Sequence, residues 1–161
     1  FTLTGADGQT FGLDQLQDRW SVLFFGYTHC PDICPTTLAT LKQFSKKLDK
    51  GNPELAADTR FVFVSVDPKR DTPEQLQTYI NYFDPDFTGI TGAKPRIDAL
   101  ANQVGAAYLF EGDTGAEDYI VNHSATLYLI DPQGRYVARF FPPHRVDEML
   151  AKYERVRAFF N

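Results

Sequence analysis

The apolar run Val22–Phe25, broken by Gly26 and followed within a few residues by both cysteines of the chain, limits the fold more than any other stretch. A short unbroken apolar run is the pattern of a buried strand. Pro35, between Cys34 and Thr36, has the fixed φ that suits the first position of a helix. A helix is therefore expected over Thr36–Lys50, with Leu38, Leu41, Ser45 and Leu48 on one stripe, Phe44 beside it and Gly51 as its C-cap. Cys30 and Cys34 then sit at a strand-to-helix turn. One turn of chain there brings two Cβ atoms within disulfide range or onto one metal ion. The helix N-terminus behind them lowers the thiol pKa, and the thiolate is the form that attacks disulfides and binds metals. The alternative is a structural disulfide or a pair of buried thiols, which needs neither the flanking prolines nor a helix end.

Length and composition narrow the class. A chain of 161 residues, 43% hydrophobic and 14% aromatic, can bury one sizeable core, so residues 1–161 are read as a single domain. A net charge of -5 supplies no basic field, which argues against nucleic acid or an anionic membrane surface as partner. No apolar run approaches the roughly 20 residues of a membrane span, so the chain reads as soluble as given. Phe1 in place of an initiator Met is read as the start of a processed or trimmed chain. Two cysteines are too few for a disulfide-stapled scaffold and suit a functional pair.

Taken in order, Phe1–Thr4 and Thr10–Leu13 flank Asp7-Gly8 and predict an N-terminal β-hairpin capping one end of a sheet. Arg60–Asp67 is rich in β-branched and aromatic residues and predicts a second buried strand. Thr72, Pro73 and Gln75 are an N-cap, a first-turn proline and a capping-box partner for a helix carrying Leu76, Tyr79, Ile80 and Phe83. A further helix carries Ile97, Leu100, Ala101 and Val104 and closes at Gly105. The polar GDTGAED loop follows, between Phe110 and Tyr119. Two strand-like runs around Asp131-Pro132-Gln133-Gly134 predict an antiparallel hairpin, and Val146, Met149, Leu150, Tyr153, Val156 and Phe160 the stripe of a last helix. The order predicts an α/β domain with a mixed sheet: a thioredoxin-like fold with an added N-terminal β-hairpin.

A thiol pair in such a fold usually means disulfide exchange, but the redox motif has two intervening residues and this one has three. The wider turn can splay the sulfurs and admit a third ligand, which favours metal capture without forbidding a disulfide. Of three histidines, His123 is best placed, just before a strand expected to pass the cysteine loop. His29 and His144 are read as solvated or capping residues, and Met149 as core. Two thiolates and an imidazole form a soft, low-coordinate set that suits Cu(I), tolerates Cu(II), and could hold Zn(II) with a water. Asp32, between the cysteines, is read either as an orienting carboxylate or as an exposed turn residue. Asp67, Asp71 and Thr72 are read as shaping a turn and capping a helix.

Four segments, FFGYTHCPDICPTTL, SVDPKRDTP, GITG and DYIVNHSATLYLIDPQG, occur in this order and resemble the Sco/SenC family of copper chaperones for cytochrome c oxidase assembly. Asn122 departs from the family's frequent Asp before the histidine. The resemblance implies copper held by Cys30, Cys34 and His123, with the two cysteines also a redox-active pair. It implies delivery of copper to the dinuclear site of oxidase subunit II, or reduction of that site's cysteines, with a thioredoxin-like dithiol reductant and an upstream copper donor as further partners. It also implies an N-terminal membrane anchor, absent from these residues, on the periplasmic face of the bacterial inner membrane or in the mitochondrial intermembrane space. The competing functions are a thiol-disulfide oxidoreductase and, with less support because no arginine lies near the cysteines in sequence, a peroxidase of the peroxiredoxin type.

Overall fold

A computed structural model describes residues 1–112, 115 and 119–160. Among the described residues the main sheet has seven strands in the order β2 (Thr10–Gly12), β1 (Thr2–Gly5), β5 (Thr88–Thr91), β4 (Thr59–Ser65), β3 (Trp20–Gly26), β8 (Leu127–Ile130) and β9 (Tyr136–Phe140). At its centre β3 (Trp20–Gly26) is buried along its whole length, as the apolar run predicts. It pairs in parallel with β4 (Thr59–Ser65) and antiparallel with β8 (Leu127–Ile130). Val22 and Phe24 face one core and Leu23 and Phe25 the other, the alternation of a strand covered on both faces. On the first face pack α2 (Ile33–Gly51), α4 (Pro73–Phe83) and α6 (Val146–Phe160). On the second lie α5 (Lys94–Val104) and a separate two-stranded ribbon of β6 (Tyr108–Glu111) and β7 (Ile120–His123).

The expected hairpin is present as β1 (Thr2–Gly5) and β2 (Thr10–Gly12), which extends the sheet through antiparallel pairing of β1 with β5 (Thr88–Thr91). Thr72 caps α4 by accepting from the Gln75 amide, Gly105 ends α5 at φ 75°, and β8 turns into β9 (Tyr136–Phe140) at Asp131–Gly134. This is the thioredoxin-like α/β architecture predicted, with the hairpin added at one edge. Among the described residues no helix is long and apolar enough to cross a membrane. Most of the expected GDTGAED loop lies outside the described residues, with Gly112 and Gly115 inside them.

Two expectations about α2 are corrected. The helix starts at Ile33, so Cys34 lies inside its first turn and Pro35 is its third residue. The first-turn amides of a helix have no carbonyl partner within it, so proline there removes no hydrogen bond. Gly51 is the last helical residue, not the cap. The cap is Asn52, whose amide donates to the Leu48 carbonyl at 2.7 Å while its side chain accepts from Leu55 and caps α3 (Pro53–Ala57). A helix that follows at once leaves no room for a left-handed glycine turn. A four-residue helix α1 (Leu13–Leu16), β5, β6 and β7 are also additions to the sequence reading.

Candidate metal centre

Three elements converge at the C-terminal end of β3. The strand stops at Gly26 and the chain runs through Tyr27, Thr28 and His29 to the half-buried Cys30. The first turn of α2 contributes Cys34, fully buried, and the end of β7 contributes His123. Ligating atoms of Cys30, Cys34 and His123 all lie within 4.8 Å of one another. Cys34 Sγ is 3.1 Å from His123 Nε2. His123 Nδ1 faces the Ser124 carbonyl oxygen at 3.2 Å. A carbonyl only accepts, so in the neutral ring Nδ1 carries the hydrogen and Nε2 turns its lone pair to the sulfurs. Edge-on Tyr27 and tilted Phe24, with centroids 5.7 and 5.8 Å away, fix the plane of that ring.

The close approach of the sulfur to the strand explains Gly26. A Cβ at this position would lie 2.6 Å from Cys34 Sγ and 2.8 Å from Phe63 Cε2, inside van der Waals contact. The two cysteines are electrostatically unlike. Cys30 is lowered from 9.0 to about 4, chiefly by the hydrogen bond from the Cys34 thiol, which outweighs burial, with the Cys34 and Asp32 backbone amides adding to it. Burial drives Cys34 far upward, reinforced by Cys30. The reduced pair is therefore a thiolate backed by a protonated thiol. Its single S–H hydrogen faces two acceptors, the Cys30 sulfur and His123 Nε2. Two sulfurs and one imidazole nitrogen at these spacings fit one soft cation of low coordination number, and a cation is what lets both sulfurs ionise.

Behind the cysteine loop the structure places residues that the sequence reading assigned only to a turn. Asp71 is buried, and its carboxylate accepts from the Thr28 amide at 2.9 Å, the Thr28 hydroxyl at 2.5 Å and the Ser65 hydroxyl at 2.6 Å. Asp67, also buried, accepts from Arg70 Nε at 2.5 Å and from the Tyr119 hydroxyl, while the Arg70 guanidinium lies 3.6 Å above the Tyr119 ring. Asp67 closely follows the buried strand β4 in SVDPKRD and Asp71 ends that segment, a place where an acid must either reach solvent or find partners. That is the signal the sequence offered.

The other candidates separate cleanly. His29 is half exposed, with Nδ1 3.2 Å from Thr28 Oγ1 and 3.6 Å from Asp71 Oδ1. It could join Asp67 and Asp71 around a cation by distance alone, but Arg70 already neutralises Asp67 and three hydroxyl and amide hydrogens occupy Asp71. His144 donates to the Ala125 carbonyl, and Met149 is core. Asp32 sits at the N-cap of α2 without a side-chain capping bond and is exposed.

The SCO1/SenC family profile matches residues 1–158. An SCO2-like protein of Rickettsia conorii is 35% identical over 151 residues, covering 93% of this chain and 72% of its own length. The copper-bound ScoI of Arabidopsis thaliana superposes with a TM-score of 0.90 at 33% identity, over 98% of this chain and 96% of that one. BsSco, described as having a disulfide switch and as a member of the Sco family of cytochrome c oxidase assembly proteins, superposes at 0.73 with 25% identity, over 97% and 90% of the two chains. Sequence, fold and the cysteine–histidine constellation agree, and the chain belongs to the SCO1/SenC family.

Proposed function

We propose that this domain, residues 1–161, is a copper-binding metallochaperone of cytochrome c oxidase assembly that holds copper as cargo between the sulfurs of Cys30 and Cys34 and Nε2 of His123. The observation that carries the reading is the 3.1 Å approach of Cys34 Sγ to an imidazole nitrogen whose lone pair is freed by the Ser124 carbonyl. A histidine serving only the core would have no need to present that nitrogen to two sulfurs. In its finer form, the proposal has the domain deliver copper to the dinuclear site of oxidase subunit II, or prepare that site by reducing its cysteines. An upstream donor supplies the copper and a thioredoxin-like dithiol protein resets the pair. The proposed setting is the periplasmic face of a bacterial inner membrane, or alternatively the mitochondrial intermembrane space. The periplasm is an oxidising compartment of the kind in which a pair like this one cycles.

The second reading, a thiol-disulfide oxidoreductase, is favoured by one specific feature: Cys30 is a half-buried thiolate backed by a protonated thiol, as an attacking and a resolving sulfur must be. One comparison separates the two. His123→Ala is expected to retain Cu(I) between two thiolates and to lose Cu(II), which prefers nitrogen-containing sites of higher coordination. Cys30→Ser and Cys34→Ser are expected to lose both copper states and disulfide reductase activity. If His123→Ala binds both copper states like the parent, the three-ligand site is wrong and the oxidoreductase reading replaces it.

A further inference from the structure

Asp71 is buried directly beneath the cysteine loop, and every group that approaches its carboxylate within hydrogen-bond distance carries a hydrogen to give. Ser65 Oγ accepts from the Asp67 amide at 3.2 Å and donates to Asp71 at 2.6 Å. The Thr28 amide can only donate. All hydrogens in these contacts come from the partners, which is the pattern of an ionised, acceptor-only carboxylate. Asp67 next to it is offset by the Arg70 guanidinium, whereas the hydrogen-bond partners of Asp71 are neutral and its closest ionisable base is the half-exposed His29 ring at 3.6 Å. The charge is also near enough to matter, since it opposes ionisation of both Cys34 and the Tyr79 phenol. Thr28, which it grips twice, is two residues before Cys30.

We infer that Asp71 sets the charge preference of the Cys30–Cys34–His123 site, favouring the divalent over the monovalent state of a bound copper ion while it pins the base of the cysteine loop through Thr28. This rests on the copper-binding reading above and goes beyond it, because the ligands alone, two thiolates and one imidazole, lean towards Cu(I). A site loaded with Cu(II) carries one more positive charge than the same site loaded with Cu(I). A fixed buried anion nearby stabilises the first by more than the second, by about tenfold in relative affinity for one unit charge at a separation of about 12 Å and an effective dielectric of about 20, and by more at shorter range. Asp71 is in hydrogen-bond contact with none of Cys30, Cys34 and His123, so it acts as a positioning residue, through its field on the copper preference and through Thr28 on the stability of the loop.

The test is a set of variants titrated separately with Cu(I) and Cu(II), with the melting temperature of each metal-free protein recorded. Asp71→Asn is expected to lower the ratio of Cu(II) to Cu(I) affinity about tenfold, and Asp71→Glu, which restores the charge, to recover most of it. Thr28→Val removes the hydroxyl's hydrogen bond to Asp71 and its contact with His29 Nδ1 but keeps the Asp71 charge, so it is expected to lower the melting temperature with the ratio unchanged. If Asp71→Asn does not fold, Asp71→Ser, which leaves space for a water among the same donors, replaces it with the same expected ratio. A folded neutral variant whose ratio stays within about twofold of the parent, or an equal shift in Thr28→Val, overturns the inference. A parent protein that binds neither copper state overturns the copper-binding reading itself, so the two failures are distinct.

Discussion

Replacing Gly26 by alanine tests whether the sulfur of Cys34 is held against the central strand as tightly as the structure has it. The added Cβ would lie 2.6 Å from Cys34 Sγ and 2.8 and 3.1 Å from Cε2 and Cζ of Phe63. Ordinary contact requires the sulfur to recede by about 1 Å. It can recede only by pushing on packed neighbours, since Cys34, Phe24 and Phe63 are all buried and Phe63 is packed edge-on against Phe24 at 5.8 Å. Overpacking of this kind costs about 1–3 kcal/mol. For a chain of 161 residues that lowers Tm by about 2–4 °C for each kcal/mol. A sulfur displaced on this scale also leaves His123 Nε2, so Gly26→Ala should weaken copper binding as well as stability. Gly51→Ala is the control: nothing lies within 4 Å of its added Cβ and its φ is not positive, so it should be neutral or slightly stabilising. The assays are thermal unfolding of the reduced metal-free protein and copper titration. A Gly26→Ala protein that melts with the parent and binds copper equally would refute the close approach of sulfur to strand.

Two further outcomes follow from the unlike cysteines. Because Cys30 is lowered to about 4, its alkylation by iodoacetamide should stay nearly constant from neutral pH down to about 5 and then fall through about 4, whereas an ordinary thiol near 8.5 would already be losing reactivity at neutral pH. The sign for stability is the same: the Cys30 contribution shrinks as pH falls from the unfolded thiol's range and is gone below about 4, so urea melts of the reduced protein should show that loss in this window, above which the upward-driven Cys34 acts in the opposite sense. Copper loading should be gated by oxidation, since one pair of sulfurs cannot form a disulfide and ligate a metal together. Stoichiometric tight binding by fully oxidised protein would rule the gate out, and recovery of binding should need an external dithiol because the chain has no third cysteine.

The elements legible in the sequence are those whose signal is local. Val22–Phe25 announces a buried strand without reference to anything else, and Thr72-Pro73 announces a helix start through the geometry of two residues. What the sequence hid depends on partners distant in the chain. Strand β5 contains Gly89, a residue that reads as a strand breaker, yet a Cβ there would sit 2.9 Å from Leu76 Cγ, so the glycine exists for the passage of α4. The ribbon β6–β7 is two strands of four residues each, too short for a periodic pattern to stand out. Asp71 read as turn chemistry because its donors, Thr28 and Ser65, sit on two other segments. His123 was singled out for its place before a strand, and the structure brings it to Cys34 from the end of β7, the ribbon that the pattern did not reveal.

The unequal burial of the two cysteines gives the site its direction. Cys34 is sealed by the strand, by Phe63 and by the first turn of α2, so an incoming thiolate cannot approach the metal from its side. Cys30, half exposed on the loop, is the ligand an acceptor can reach first. In the metal-free pair its low pKa keeps it ionised, with the hydrogen bond from Cys34 steadying the thiolate, and so makes it the readier nucleophile of the two sulfurs. In the proposed function, ligand exchange and disulfide attack would therefore both begin on the Cys30 side of the site, and would differ in what stands opposite it, a metal-accepting thiolate or a disulfide. The burial gradient from half-exposed Cys30 to sealed Cys34 gives both proposed chemistries the same point of entry, while their mutual exclusion follows from the sharing of one pair of sulfurs.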